Sequence, residues 1–263
     1  MPPSRKPKPR SYDPARTRAA VRSQYALTAE AVRKLAPEQL ARPAGLGDWT
    51  VRDLAAHLAW AVGSLAAAAA RPPAERAEVT VQTWPFATAP IREQIADAHR
   101  GKDAEDLSAL WDRTGERLSE LLEVLPDDRL LTLWIGGMTV ADFVTTRAVE
   151  LVVHTDDLNR ALSLEIPLDR QALAACVRIL ADALAVKAPG GSVEVRIPPF
   201  AVVQCVEGPR HTRGTPPNVV ETDPLTWIRL ATGRLAWDAA LDAAAVRASG
   251  ERAGLGGVLP VMS

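Results

Sequence analysis

The chain has 263 residues, 47% hydrophobic and 24% charged, and its 31 basic and 32 acidic side chains leave a formal net charge of −1. That length suits one large domain or two ordinary ones, and the charge balance gives no electrostatic reason to expect nucleic acid or an acidic membrane surface as partner. Its two cysteines, Cys176 and Cys205, are too few and too far apart for a disulfide framework or a thiolate zinc site, which points to a reducing cytoplasm.

The opening MPPSRKPKPR is basic and proline-rich with no apolar run behind it, so residues 1–13 read as a disordered tail rather than a targeting segment. Asp13-Pro14 starts a helix, Asp as cap and Pro in the first turn, which runs to about Leu35 and ends at Ala36-Pro37. Beyond the Pro/Gly-punctuated ARPAGLGD, a second helix opens at Thr50, with Asp53 at the capping-box position. Leu54, Leu58, Ala61 and Leu65 mark its buried face, and His57 falls among them. The low-charge run WAVGSLAAAAA in this helix is too short to span a bilayer.

A long connection over residues 70–101 includes a TWPF segment and Pro90, which is placed to start a short helix. Connections of that length are often functional. A third helix from Asp103 carries Leu107, Leu110, Trp111, Thr114, Leu118, Leu121 and Leu125 and stops at Pro126. Gly136-Gly137 breaks the chain again, and Thr139 caps a fourth helix with Asp142 three residues on.

That helix carries two lines of residues. Val144, Ala148, Leu151, Thr155, Leu158 and Leu162 form one stripe, and Arg147, Glu150, His154 and Asp157 form a polar line on another face. A helix apolar on nearly all sides is usually buried, so the polar line faces something inside. Glu150 and His154 stand about 40° apart around the axis and about 6 Å along it, close enough to converge on one ion. With His57 they would make two imidazoles and a carboxylate, a three-ligand set with open positions. The residues alone leave a second possibility open, a hydrogen-bonded core histidine beside an i,i+4 Glu–His pair.

Ile166-Pro167 ends this helical part, and a helix from about Asp169 to Val186 follows, with Leu173, Val177, Leu180 and Leu184 inside. Past APGG the pattern changes to period two: Val193, Val195 and Ile197 alternate with polar residues as in a half-buried strand. FAVVQCVEG is a second strand, with Cys205 in the core, and VVET a third. Between them His211, flanked by Arg210 and Arg213, reads as part of a solvated turn. A helix TDPLTWIRLATGRL capped by Thr222 or Asp223 follows, and VRASGERAGLGGVLPV reads as a short strand and then a helix. The fold class is therefore α+β: a four-helix bundle over residues 14–165 and a small α+β domain over residues 166–263.

GLGDWTVRDLAAHLAW resembles a segment of the mycothiol-dependent maleylpyruvate isomerases and their DinB-like relatives, in which a Trp-Thr-Val-x-Asp-Leu run leads to a metal-ligating histidine. RAVELVVHTDDL is similar to that family's Glu-x-x-x-His segment, and the likeness covers about residues 14–165. It implies a DinB-like bundle in which His57, Glu150 and His154 hold zinc or another divalent ion, with mycothiol as thiol cosubstrate. In the reaction so implied, the thiolate adds to an activated cis double bond, the resulting single bond rotates, and elimination of the thiol leaves the trans isomer. Arg147 is then a candidate for stabilising the enolate, with a salt bridge to Asp142 or Glu150 as its alternative, and Asp157 a candidate for orienting His154.

The second half, through Asp-Pro-x-x-Trp-x-x-Leu-x-x-Gly-Arg and Val-x-Ala-Ser-Gly, resembles the bacterial sterol-carrier-like domain and the C-terminal domain of the same isomerases. The resemblance implies that this domain closes over the metal and contributes a basic residue. Arg234 stands at that position, with a purely structural helix-end arginine as the alternative. Two functions follow as expectations. One is a cytoplasmic, metal- and thiol-dependent isomerase or transferase acting on a small molecule. The other is a carrier whose groove holds a lipid or other apolar ligand.

Overall fold

The computed structural model describes residues 10–88, 106–208 and 217–262. Most of the expected tail, Pro90, Asp103 and the turn with Arg210, His211 and Arg213 lie outside the described residues.

The first long helix, α1 (Pro14–Arg33), begins as its sequence dictates, with the Asp13 carboxylate accepting the Arg16 N–H at 3.0 Å. It ends two residues before Leu35, and a short helix not anticipated from the sequence, α2 (Pro37–Leu40), follows. In α3 (Val51–Ala69) the capping box closes both ways: Asp53 N–H donates to Thr50 Oγ1 at 3.2 Å, and Thr50 N–H donates to Asp53 Oδ2 at 2.9 Å. The TWPF segment of the long connection forms α4 (Trp84–Thr88). The next helix, α5 (Leu107–Val124), is capped by Asp106, so its start lies later than the expected Asp103.

A small antiparallel hairpin of β1 (Leu130–Leu133) and β2 (Gly136–Thr139) stands where the glycine pair was expected only to break the chain. The glycines have a use there. The Gly137 carbonyl accepts N–H groups from Glu78 at 2.7 Å and Val79 at 3.0 Å, and a Cβ at Gly137 would collide with the Arg76 carbonyl oxygen. From β2 the chain enters α6 (Val140–Leu162), where Thr139 Oγ1 accepts the Asp142 N–H at 3.1 Å.

The long helices pack in a ring, α1 on α6, α6 on α3, α3 on α5 and α5 on α1. Leu54, Leu58, Trp111, Leu151 and Leu158 are fully buried at its centre. This is the expected bundle. The apolar stripe of α6 faces inward along its whole length, as Val144, Ala148, Leu151, Thr155, Leu158 and Leu162 are all buried.

The second part is built onto the bundle through α7 (Arg170–Lys187), capped by Asp169 and packed against both α1 and α6. The other side of α7 meets a four-stranded sheet of order β4-β3-β5-β6, from β3 (Val193–Ile197), β4 (Ala201–Cys205), β5 (Val219–Thr222) and β6 (Val246–Ser249). β3 runs antiparallel to β4 and parallel to β5. Asp223, not Thr222, caps α8 (Pro224–Ala231). That helix is shorter than expected because the chain turns at Gly233, whose φ of +74° suits glycine. A separate α9 (Trp237–Asp242) comes next. The helix expected after β6 is absent among the described residues, which form turns at residues 251–252 and 256–258, the latter through Gly256 and Gly257.

Gln24 joins the two parts. Its side chain, fully buried in α1, donates to Thr155 Oγ1 at 3.3 Å and the Pro167 carbonyl at 3.2 Å, and accepts the Asp169 N–H at 2.7 Å. Gln24→Ala is expected to lower unfolding stability by about 2–3 kcal/mol, because a buried carbonyl and a helix-capping N–H lose their partner together. Urea denaturation checks this, and a change below about 0.5 kcal/mol would show the network to be dispensable.

Candidate metal centre

The caps of α3 and α6 set the phase of two facing helices. His57 lies two turns into α3 and Glu150 three turns into α6, and the contact between these helices brings them together. His57 Nε2 lies 4.0 Å and His154 Nε2 3.4 Å from the same oxygen, Glu150 Oε2. Donor atoms of all three residues fall within 4.8 Å of one another. Bonds of about 2.1 Å to a tetrahedral zinc would separate ligand atoms by about 3.4 Å, so small side-chain movements would complete the set. The two imidazole rings meet edge-on, with centroids 5.1 Å apart.

The surroundings fit a cation. His154 Nδ1 lies 2.9 Å from Asp157 Oδ2, which fixes the ring with Nδ1 toward that carboxylate and Nε2 toward Glu150. Burial opposes the charge on Glu150, yet His154, Arg147 and His57 outweigh it and pull the carboxyl down to about 2. Burial also opposes a charged His154, but the Asp157 and Glu150 carboxylates more than offset this and shift its pKa upward. The negative field that favours a proton on His154 favours a metal cation equally. Both histidines are buried, whereas the Glu150 side chain keeps 19% of its surface exposed, so the group is open at the carboxylate.

The expected polar line of α6 is present, and its four members do different things. Arg147 is buried: it donates to the Ala61 carbonyl of α3 at 2.8 Å and to Thr146 Oγ1 at 3.0 Å, and it lies 4.5 Å over the Phe143 ring and 5.8 Å over that of Trp84. Glu150 Oε1 lies 3.9 Å from its Nη2, and burial lowers its pKa against the raising effect of Glu150. Its hydrogen bonds thus tie α6 to α3 beneath Glu150. Asp157, only 1% exposed, holds His154 on one side and Arg234 on the other, with Arg234 Nη2 at 2.8 Å and Nε at 3.0 Å. Burial would raise the Asp157 carboxyl, but His154 and Arg234 dominate and hold it well below the usual carboxylate range. Arg234 is therefore one residue removed from His154.

Sequence reasoning passed over three contributors. Trp49 and Trp60 flank His57, with centroids at 5.0 and 6.1 Å. Asp156, beside Asp157, grips Arg229 of α8 through bonds of 2.6 and 2.8 Å, so two adjacent acids hold two arginines of the second part. The doubled acid in HTDDL and the Arg229/Arg234 pair were the available signals. The environment of the cysteines disfavours the reactive thiolate. Both are buried, and burial pushes the Cys176 thiol up, and that of Cys205 up to about 11.

Two family models match the chain. One, described as the mycothiol maleylpyruvate isomerase N-terminal domain, matches residues 10–159. The other, described as the bacterial SCP ortholog, matches residues 169–261. No curated protein sequence matches. Among solved structures, a histidine-to-alanine mutant of the mycothiol-dependent maleylpyruvate isomerase is similar with a TM-score of 0.59 at 14% identity, over 90% of this chain and 93% of its own. A structure described without that mutation gives 0.58 at 15% identity, over 85% and 90%. At such identities the likeness is one of fold.

Proposed function

This chain belongs to the mycothiol maleylpyruvate isomerase N-terminal domain family over residues 10–159, and from that premise we propose that it is a divalent-metal-dependent isomerase or transferase using a low-molecular-weight thiol, mycothiol first among candidates. The observation that carries the proposal is the meeting of His57, Glu150 and His154 donor atoms from two helices within 4.8 Å. These three residues would hold the ion, zinc by the chemistry of the donors, within a bundle over residues 14–165 joined to a carrier-like unit over 166–263. When bound, the cation supplies positive charge that favours the thiolate form of a thiol cosubstrate.

The chain's own side chains do the rest. Glu150, whose cationic neighbours favour its ionised form, presents its exposed edge to the incoming thiol. Asp157 orients His154, and Arg234 fixes Asp157 from the second part. Arg147 positions Glu150 and α3, so we assign it, like Arg234, a positioning part. Trp49 and Trp60 pack beside His57. Both protein thiols are buried and burial raises their pKa, which suits a thiol supplied from outside the chain. A nucleophile of this kind suits addition to an electron-poor cis double bond, rotation about the single bond formed, and expulsion of the thiol.

Packing supports this reading over a lipid carrier. Val193, Val195 and Ile197 of β3, with Val177, Leu180 and Leu184 of α7, have no exposed surface, so side chains already fill the space between sheet and helix.

The test combines zinc-loaded protein with mycothiol. Proton release near neutral pH is expected on thiol addition, together with cis-to-trans conversion of maleylpyruvate that needs both thiol and metal. Absence of both proton release and thiol-dependent turnover in zinc-loaded protein would overturn the proposal.

A further inference from the structure

A cavity of about 360 Å³ lies where the start of α1 meets α6 and α7. Its floor is three alanines from three helices: Ala20 of α1, Ala148 of α6 and Ala175 of α7, all buried. Methyl side chains at a three-helix junction leave room that larger residues would fill. Its rim carries Arg10, Arg16 and Arg178 against a single lining carboxylate, Asp13. Arg10 is already committed, with Nε on Asp182 at 2.9 Å and Nη2 on the Val202 carbonyl at 3.3 Å. Arg178 lines the cavity and uses Nε on the Phe200 carbonyl at 3.0 Å, which leaves its Nη end without a hydrogen bond, although Asp182 lies within its electrostatic reach. Arg16 lies 4.0 Å from Asp13 and is otherwise largely exposed. The Asp13 carboxylate already caps α1, and this offsets part of its charge.

This cavity is separate from the candidate metal centre. Ala148 precedes Glu150 by two residues, which places them about 200° apart around α6. The stripe of Ala148 and Thr155 faces α1, where Thr155 meets Gln24.

We propose that the cavity binds a small organic carboxylate, held by Arg178 and Arg16 at the rim with its hydrocarbon portion on the alanine floor. With Nε engaged, the Nη end of the planar Arg178 guanidinium is the part that matches a carboxylate, and the volume lies in the range of small-molecule sites. A ligand seated there touches α1 and α6 of one family-matched segment and α7 of the other, and so strengthens their junction.

Calorimetric titration of the full chain with succinate, at chloride-matched ionic strength, tests the proposal. Saturable binding is expected, unchanged between chelator-treated and zinc-restored protein. It should weaken about tenfold or more in Arg178→Gln, since a charge-assisted contact is lost. In Arg16→Gln, an exposed change without folding risk, it should weaken about threefold. Lack of saturable binding, a requirement for zinc, or full affinity in both arginine variants would overturn the site. Tighter binding of inorganic phosphate than of succinate would overturn the carboxylate assignment.

Discussion

Replacing any one of His57, Glu150 or His154 by alanine is expected to strip the protein of metal. Wild type prepared without chelator and offered zinc should carry about one ion per chain, and each variant below about a tenth of that after gel filtration. The magnitude follows from the ligand count. Loss of a group that merely orients a ligand costs about 10–100-fold in affinity, and loss of one of three ligands costs more. The three variants report different things. Glu150 and His154 share a helix and stay close whatever α3 does, so His57→Ala tests whether the meeting of α3 and α6 completes the set. Glu150→Gln keeps the shape and removes the charge, and should also lose metal. Circular dichroism separates loss of metal from loss of fold. Wild type that binds no stoichiometric metal would remove the basis of the proposed chemistry.

What was legible from the residues follows the range of the interactions. The caps at Asp13, Thr50, Thr139 and Asp169 join groups within three residues of one another, and the helices begin where these residues stand. Glu150 and His154 are tied by helix geometry alone. His57 needed the facing of α3 and α6, which spacing does not contain and the family resemblance supplied. The hairpin at residues 130–139 was hidden because its second strand opens on Gly136-Gly137, glycines that read as a break. Their reason lies at Arg76, Glu78 and Val79, a segment distant in the chain. Arg147 was a candidate for meeting a substrate, and its partners at Ala61 and Trp84 belong to other elements that the local pattern does not announce. The Asp156–Arg229 and Asp157–Arg234 pairs span 73 and 77 residues, and no local pattern announces them.

That last pair carries the second large effect. Asp157→Ala is expected to cost about 3 kcal/mol of stability, since it leaves a mostly buried guanidinium and the His154 N–H without their acceptor. Metal affinity should fall about 10–100-fold at the same time, because His154 loses the carboxylate that fixes its ring. A structural role alone predicts the first effect without the second, so the two are measured separately, by denaturant unfolding of chelator-treated protein and by competition with a zinc chelator. Arg234→Met leaves Asp157 on His154, with Arg160 3.6 Å away as remaining partner, and should cost less in both measures. Combining it with Asp157→Ala gives a coupling energy of about 1–3 kcal/mol if the two act as one unit. Arg234→Lys keeps the charge but not the two-point grip, and should recover stability in part while metal affinity stays reduced. If Asp157→Ala binds zinc as tightly as wild type, the link from the second part of the chain to His154 has no bearing on the metal. Arg234 is then only the clamp between α6 and the end of α8.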